Sequence, residues 1–491
     1  VVSYFKKIKS IRMKKIITLV AVTSILSLSC SKNFIDITPI STVSVDAVYK
    51  TDKDFQDAVI GCYSTLRNQY QNFWMFGDLR SDDSWKEVSK NISSYYVDVF
   101  IIDASDALLK STWVNYYNLI AGANTVLAKI ATADSTIVTN KSRHIGEAKF
   151  LRAMAYFDLV RIFGDVPEIT APITIAEGYK AGRTSVDKIY NDIIIPDLAD
   201  AQSKLPKKYT GADVGRATQG AALSMLGRVY LTRKNFPAAE TTLQTVTTLG
   251  YSLLPNYNDL FDYTKDEHHS EYIFDIEYQD NLGGLGSGYT NSFLPLSAPL
   301  LTFYSIAGQG GEENNPTQAL LSAFEPNDKR MAVTVDGSGG FVNGSGVFVK
   351  FLQCHTITKK YITPELVAND SKVDWKVVRY ADVLLMYAEA LNENGKTGDA
   401  LGYLNQVRER AGLPDYTSLA QDDVREKIYK ERRVELGMEG SRWFDLLRTG
   451  RAYDSLQASG MKPYMTVFPV PLSEVQLVNN SSLFPQNPGY N

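Results

Sequence analysis

Two well-separated stretches of this chain repeat one pattern, and that repetition restricts the fold more than any other feature. Ala221 to Leu249 sets Leu226, Val229 and Tyr230 at helical spacing, turns around Lys234-Asn235, and resumes with Phe236, Ala239, Leu243 and Val246. Val383 to Arg410 does the same with Tyr387, Ala388 and Leu391, a turn at Asn394-Gly395, then Ala400, Leu401, Leu404 and Val407. Each reads as an αα-hairpin of tetratricopeptide type. Such a hairpin buries only the stripe facing its neighbour, so it needs other helices stacked on it. The expected fold is mostly α: a helical scaffold of tetratricopeptide-like αα-hairpins with irregular loops and a few short strands.

Helical periodicity extends upstream, over Asp54 to Tyr70, Ser111 to Ile130 and His144 to Phe163. The last stops at Gly164-Asp165-Val166-Pro167, where Gly accepts positive φ and Pro ends the ladder. Ser185 to Ala201 is helical too, with Pro196 expected to kink or split it. Between the hairpins, Tyr272-Ile273-Phe274-Asp275-Ile276 is strand-like, and a series of glycines from Gly283 to Gly346 breaks the rest into loops. A charged helix follows Asp422, and the tail from Phe468 to Tyr490 reads as extended. The expected organisation is an N-terminal region over 30–270 and a C-terminal region over 271–491, joined in one compact body.

Met13-Lys14-Lys15, an uncharged run from Ile16 to Ser29, and Cys30 form a signal peptide over 13–29. The run is too short to cross a ~30 Å bilayer at ~1.5 Å per residue. Leu26-Ser27-Leu28-Ser29-Cys30 resembles the bacterial lipobox, which implies lipidation of Cys30 and an anchor made stable by several acyl chains. Residues 1–12 read as an over-extended gene start and are set aside.

A net charge of −4 with dispersed Lys and Arg leaves no footprint for nucleic acid. Beyond Cys30 the chain has Cys62 and Cys354, which allow one disulfide or two buried thiols. Enzyme signatures are missing. His144, His268, His269 and His355 lack metalloprotease spacing, and His268-His269 reads as a solvated loop pair. No Gly-x-Ser-x-Gly elbow or EF-hand loop occurs. Gly283 to Gly288 lacks a phosphate-loop lysine, and adjacent acids such as Asp82-Asp83 and Glu312-Glu313 seldom converge across a glycosidic bond. No catalytic residue, metal or cofactor is expected.

Read in order, several stretches resemble the SusD/RagB family of outer-membrane lipoproteins. They include Trp113-Val114-Asn115-Tyr116-Tyr117, Glu147 to Ala153 with Gly164 to Pro167, and Gly215-Arg216-Ala217-Thr218. Asp328-Lys329-Arg330, Arg379 to Ala390, Glu431 to Leu436, Arg442-Trp443-Phe444-Asp445-Leu446 and Gln486-Asn487-Pro488-Gly489-Tyr490 complete the series. The resemblance implies a cell-surface position on the outer membrane as the lid of a SusC-like TonB-dependent transporter, and noncovalent capture of oligosaccharide without a cofactor. A peptide ligand for the same kind of lid is the alternative, and a hydrolase a more distant one. Arg379, Asp382, Glu389, Glu431, Arg432, Glu435 and Arg442 read as structural ion pairs and caps.

The chain holds 29 Tyr and 5 Trp, a surplus that suits a sugar-binding face as well as a core. Phe73 to Trp85 interleaves aromatics with short acids in a segment whose polarity suits a loop. Trp74 and Trp85 are candidate stacking platforms, with packing under the helical body as the alternative; Arg80 and Asp82 are candidate partners for vicinal hydroxyls. Relatives often place ligand contacts here and after the central strand, which adds Tyr289 and Tyr304, near Phe293 and Phe303; Tyr95 and Tyr96 are weaker candidates.

Overall fold

The structure, a computed structural model, describes residues 48–86, 92–351 and 355–490. The signal peptide, Cys30 and Cys354 lie outside the described residues.

Nine longer helices carry the scaffold: α1 (Asp52–Tyr70), α2 (Ala107–Ala131), α3 (Lys141–Phe163), α4 (Ile195–Lys204), α5 (Gln219–Thr232), α6 (Phe236–Thr247), α7 (Tyr380–Glu393), α8 (Thr397–Ala411) and α9 (Gln421–Glu435). Local chemistry sets their ends. Thr51 and Asp54 close a capping box on α1, Asp106 caps α2 and Thr218 caps α5. Gly164 (φ 74°) ends α3, and Gly412 (φ 78°) ends α8. Consecutive helices stack, α1 on α2, α2 on α3, and onward through α4, α5 and α6 to α7, which holds both α8 and α9. The hairpins α5/α6 and α7/α8 are the repeated pair, so each supplies the partner that the other requires.

α3 lies at the centre and is buried round most of its circumference, so its polar residues are paired inside. Arg152 grips Asp197 (2.7 and 2.9 Å), Arg216 grips Glu147 (2.6 and 2.9 Å), and Asp158 accepts from Tyr70 and Tyr116. Before Pro196 the chain forms a π-helical turn, Tyr190–Ile194, in which the Ile195 N–H donates to Tyr190 O. The expected kink or split takes the form of this π-turn inside a helix that runs on without a break: the backbone stays helical at Ile189, Tyr190, Ile194 and Ile195, and the wider turn accommodates the missing N–H of Pro196.

The strands are short: β1 (Ser84–Trp85), β2 (Tyr272–Ile276), β3 (Asn315–Pro316), β4 (Gly340–Val342), β5 (Phe348–Lys350) and β6 (Trp375–Arg379). β2 pairs antiparallel with β6, with Tyr272 opposite Arg379, so the loop-rich insert between them begins and ends at one place on the scaffold. Leu294, Leu300, Leu301, Ile306, Phe341, Phe351 and Ile357 form a core within that insert. Residues 51–491 form one compact unit, and the two expected regions interlock within it: β1 pairs with β3, and Asp82 with Arg442. The tail is less extended than its prolines suggest. Leu472–Val478 is helical, begun after Pro471 and ended by Asn479 (φ 47°).

A buried ion network explains the charged motifs. Arg330, Lys360, Arg379, Arg408 and Arg410 interleave with Glu271, Glu325, Asp328, Glu431, Glu435 and Glu439, tying insert, β2, α7, α8 and α9 together.

Candidate functional site

Four of the five indoles are buried, Trp74, Trp113, Trp375 and Trp443. Trp85 is the one left partly open, and among the described residues no aromatic ring stacks on it. It stands on β1 directly opposite Asn315 on β3, which puts the two side chains on one face of the ribbon. The ribbon is held from both sides. The Lys86 N–H donates to Asp98 Oδ2 (2.8 Å), on the short helix Ser93–Asp98 that also carries the half-buried Tyr95 and Tyr96. The Lys86 ammonium reaches Gly311 O (2.7 Å), Glu312 O (3.3 Å) and Glu313 Oε1 (3.5 Å). Below it, Ser84 Oγ bonds Asn314 Oδ1, and Asn314 Nδ2 donates to Asp78 Oδ2 (3.4 Å). Burial pushes the Asp98 carboxyl up to about 6 against the pull of the Lys86 amide, and Asp78 up to about 7 against the Gly440 amide.

Three expected ligand residues occupy the core instead. Trp74, Arg80 and Tyr289 are 3%, 1% and 1% exposed. The Trp74 indole N–H donates to Gln71 O (3.1 Å), and its ring meets Phe293 edge-on. The Arg80 guanidinium lies over the rings of Phe100 (3.9 Å) and Phe468 (4.5 Å), and donates to Val97 O. The Tyr289 hydroxyl donates to Tyr70 O (2.7 Å), amid Phe293, Tyr361 and Trp375. None of the three offers a free face to a ligand here. The physical reason is that 73–83 is not a polar loop. It continues from α1 through a π-helical turn, Met75–Leu79, and its acids are neutralised inside the protein. Asp78 accepts the Gly440 N–H (2.8 Å), Asp82 takes both bonds of Arg442 (2.7 and 2.8 Å), and Asp83 takes Arg433 (2.6 Å). Asp82 is half-buried with both oxygens committed. Tyr304 is half-buried beside the exposed Phe303 and packs on the insert's core.

Lys86, Asp98 and Asn315 escaped sequence reasoning, and Glu313 figured in it only as half of an adjacent acid pair, because the pairing that assembles them joins residues some 230 apart with no local signature. The ribbon can offer a flat indole to an apolar surface while neighbouring oxygens accept hydrogen bonds. Of the histidines, His268 bonds Glu277 (2.7 Å), which raises its pKa, and burial takes His269 down to about 3; the pair is only partly solvated. Among the described residues no group of three His, Cys, Asp or Glu is placed to hold a metal, and no helix is long and apolar enough to cross a membrane. Cys62 is buried and free, its thiol pushed up to about 12 by burial.

A stacked-hairpin scaffold that presents an aromatic ribbon beside a loop-rich insert defines a helical binding-protein architecture. Residues 33–231 match a family described as starch-binding and associating with the outer membrane, and residues 350–490 match the SusD family. The chain belongs to the SusD-like family. It is 28% identical to SusD-like protein P2 of Formosa agariphila, over 92% of this chain and 95% of that one. It is 24% identical to the starch-binding protein SusD of Bacteroides thetaiotaomicron, over 71% and 73% of the two chains. The solved structure of a laminarin-binding SusD-like protein superposes with a TM-score of 0.79 at 27% identity, covering 90% of this chain and all of the other.

Proposed function

We propose that this chain is a cell-surface lipoprotein, anchored through Cys30, that binds oligosaccharide noncovalently at the Trp85 ribbon and passes it to a TonB-dependent outer-membrane transporter without cleaving it. The observation that carries this reading is the partly open indole, the exception among five, set beside carboxylates and a buried asparagine. A pyranose ring stacks its C–H face on such a surface while its hydroxyls bond to the neighbouring oxygens. Similarity to a laminarin-binding protein and to a starch-binding one supports a sugar ligand. Binding without hydrolysis fits the acids: Asp82 and Asp83 are held by arginines, and Glu312 accepts the Leu296 N–H.

The test is isothermal titration of the protein from Ser31 onward against a panel of oligosaccharides. Saturable heat with a glycan, weakened about tenfold or more by Trp85→Ala, is the expected result; a stacking contact of ~1.4 kcal/mol corresponds to that factor. One feature favours a peptide as the second reading. Val114, Ile175, Tyr179 and Leu477 leave apolar surface open around a groove of about 370 Å³ between α2 and the helix Leu472–Val478. Heat with casein-derived peptides and none with any sugar would select it.

A further inference from the structure

The insert between β2 and β6 is rooted at a junction where acids outnumber bases. Asp275 on β2 stands opposite Lys376 on β6; its Oδ2 meets the Lys376 ammonium (3.3 Å), and its Oδ1 is sealed from solvent without a partner. Asp374, the residue before β6, accepts the Tyr278 N–H (2.7 Å) just past the end of β2, so this carboxylate ties the two ends of the insert together. Residues two apart on a strand lean to the same side, which sets Asp374 beside Lys376 and Glu277 beside Asp275. The charges of Asp275, Lys376 and Glu277 all reach Asp374. Asp266 joins from the segment before β2 and acts on both Asp275 and Lys376. Asp266, Asp275, Asp374 and Lys376 are all buried.

One ammonium does not offset three buried carboxylates, and the other charges nearby leave the excess standing. Arg379 is committed to Glu271, Glu435 and Glu439, and Arg228 to Asp382; Lys360 shares Glu439, Asp259 pairs with Lys265, and Arg67 acts on Tyr278. Lys372 is half-buried over the Tyr263 ring, and His269 stays neutral. Burial therefore raises Asp374 and Asp266 and takes Asp275 up to about 6 against the pull of Lys376. On the open side Glu277 holds His268 (2.7 Å) and the Tyr272 hydroxyl, and the bond to Glu277, with Glu267 adding to it, raises His268. Both kinds of shift act with one sign. Carboxyls raised above the unfolded value of ~3.9, and a histidine raised above ~6.5, give stability that is full in acid and lost as pH rises through their folded values. As it is lost the acids gain negative charge and His268 sheds its positive one, so like charges collect on both strands. We infer that the β2/β6 junction is a proton-operated clasp, shut in mild acid and loosened as its carboxylates ionise, which sets how firmly the insert is held. The insert includes β3, the strand paired with the one that carries Trp85.

The experiment is hydrogen exchange of the protein from Ser31 onward, read by mass spectrometry at about pH 5.5 and about pH 8.5 and corrected for the intrinsic exchange rate at each pH. Peptides covering 272–280 and 373–380 report the clasp, and the central helix α2 (Ala107–Ala131) is the internal reference. Protection at the junction is expected to fall about tenfold or more relative to α2 as pH rises, the factor that one unit of differential ionisation corresponds to. Asp374→Asn keeps an oxygen for the Tyr278 N–H and cannot ionise, so it should hold the fall to less than about threefold. Glu277→Gln changes a partly open side chain and preserves its shape; it should lessen the fall too, and it decides the matter where Asp374→Asn does not fold. Junction peptides that keep their protection across the range overturn the inference. So does a fall matched by α2, which would be a loss of global stability, or one that neither substitution reduces.

Discussion

Removing the charge of Glu435 tests whether the buried ion network holds the halves of the chain together. Glu435 is fully buried at the end of α9, where Arg379, Arg330 (2.9 Å) and Arg410 converge on its carboxylate. Burial alone would raise its pKa, yet Arg410, Arg379 and Arg330 together hold it well below the ordinary range. Breaking a buried pair from one side costs about 3–5 kcal/mol, because it leaves the other charge uncompensated. Each guanidinium here keeps a second carboxylate: Arg379 keeps Glu271 and Glu439, Arg330 keeps Asp328 and Glu431, and Arg410 keeps Glu271. The loss for Glu435→Gln therefore belongs at the lower end, about 3 kcal/mol, out of a total of roughly 5–15 kcal/mol for a folded domain. Urea unfolding followed by fluorescence of the buried Trp375 and Trp443 measures it, with Glu426→Gln, in an exposed pair with Arg451, as the control at about 0–1 kcal/mol. Because the folded pKa is depressed, the difference should be full at neutral pH and shrink as pH falls through and below the unfolded value of ~4.3. A loss no larger than the control, or one independent of pH, would refute the reasoning.

What was legible in the sequence followed from period and punctuation. The hairpins α5/α6 and α7/α8 were readable because a buried stripe recurs at helical spacing across a short turn, and the end of α3 because Gly164 and Pro167 mark it. Arg379, Asp382, Glu431 and Glu435 looked structural because their charges flank apolar stripes, and they are paired in the core. The π-helical turns and the helix Leu472–Val478 were harder to see, since an i→i+5 bond has no sequence period and prolines mask a helix that starts after them.

Of the ribbon proposed as the site, only Trp85 stood out in the sequence as a candidate, and the segment around it misleads for a physical reason. Polarity over 73–83 looks like exposure when the partners are unknown, but Arg433, Arg442 and Gly440 come from some 350 to 362 residues away to absorb it. Close approach makes that possible. Gly77 lies so near Gly440 that an added Cβ would fall 2.2 Å from its carbonyl oxygen, and Gly440 itself holds a positive φ. A neighbour supplied from the far end of the chain decides whether an acid binds a ligand or an arginine, and local pattern does not carry that information.

Two further outcomes follow from the same junction. Gly77→Ala forces backbone against backbone, so it should cost more than the ~1–3 kcal/mol of ordinary overpacking and lower Tm by several degrees or abolish soluble protein; an unchanged Tm would show that the contact yields. The second concerns Asp78, whose carboxyl burial pushes up to about 7 despite hydrogen bonds from the Gly440 N–H and Asn314 and the nearby Lys360. Asp83 adds to the upward push. The unfolded carboxyl ionises near ~3.9, so between that pH and about 7 the folded state holds the extra proton. Stability from this group is therefore greatest in acid, falls as pH rises across the window, and is flat above it. Asp78→Asn keeps the acceptor for Gly440 and cannot ionise, so it should gain on the native protein as pH is raised from about 5 to about 8 in urea titrations. A difference between the two proteins that stays constant across that range would mean that Asp78 is ionised in the core throughout, with the Gly440 amide, Asn314 and Lys360 outweighing the cost of its burial.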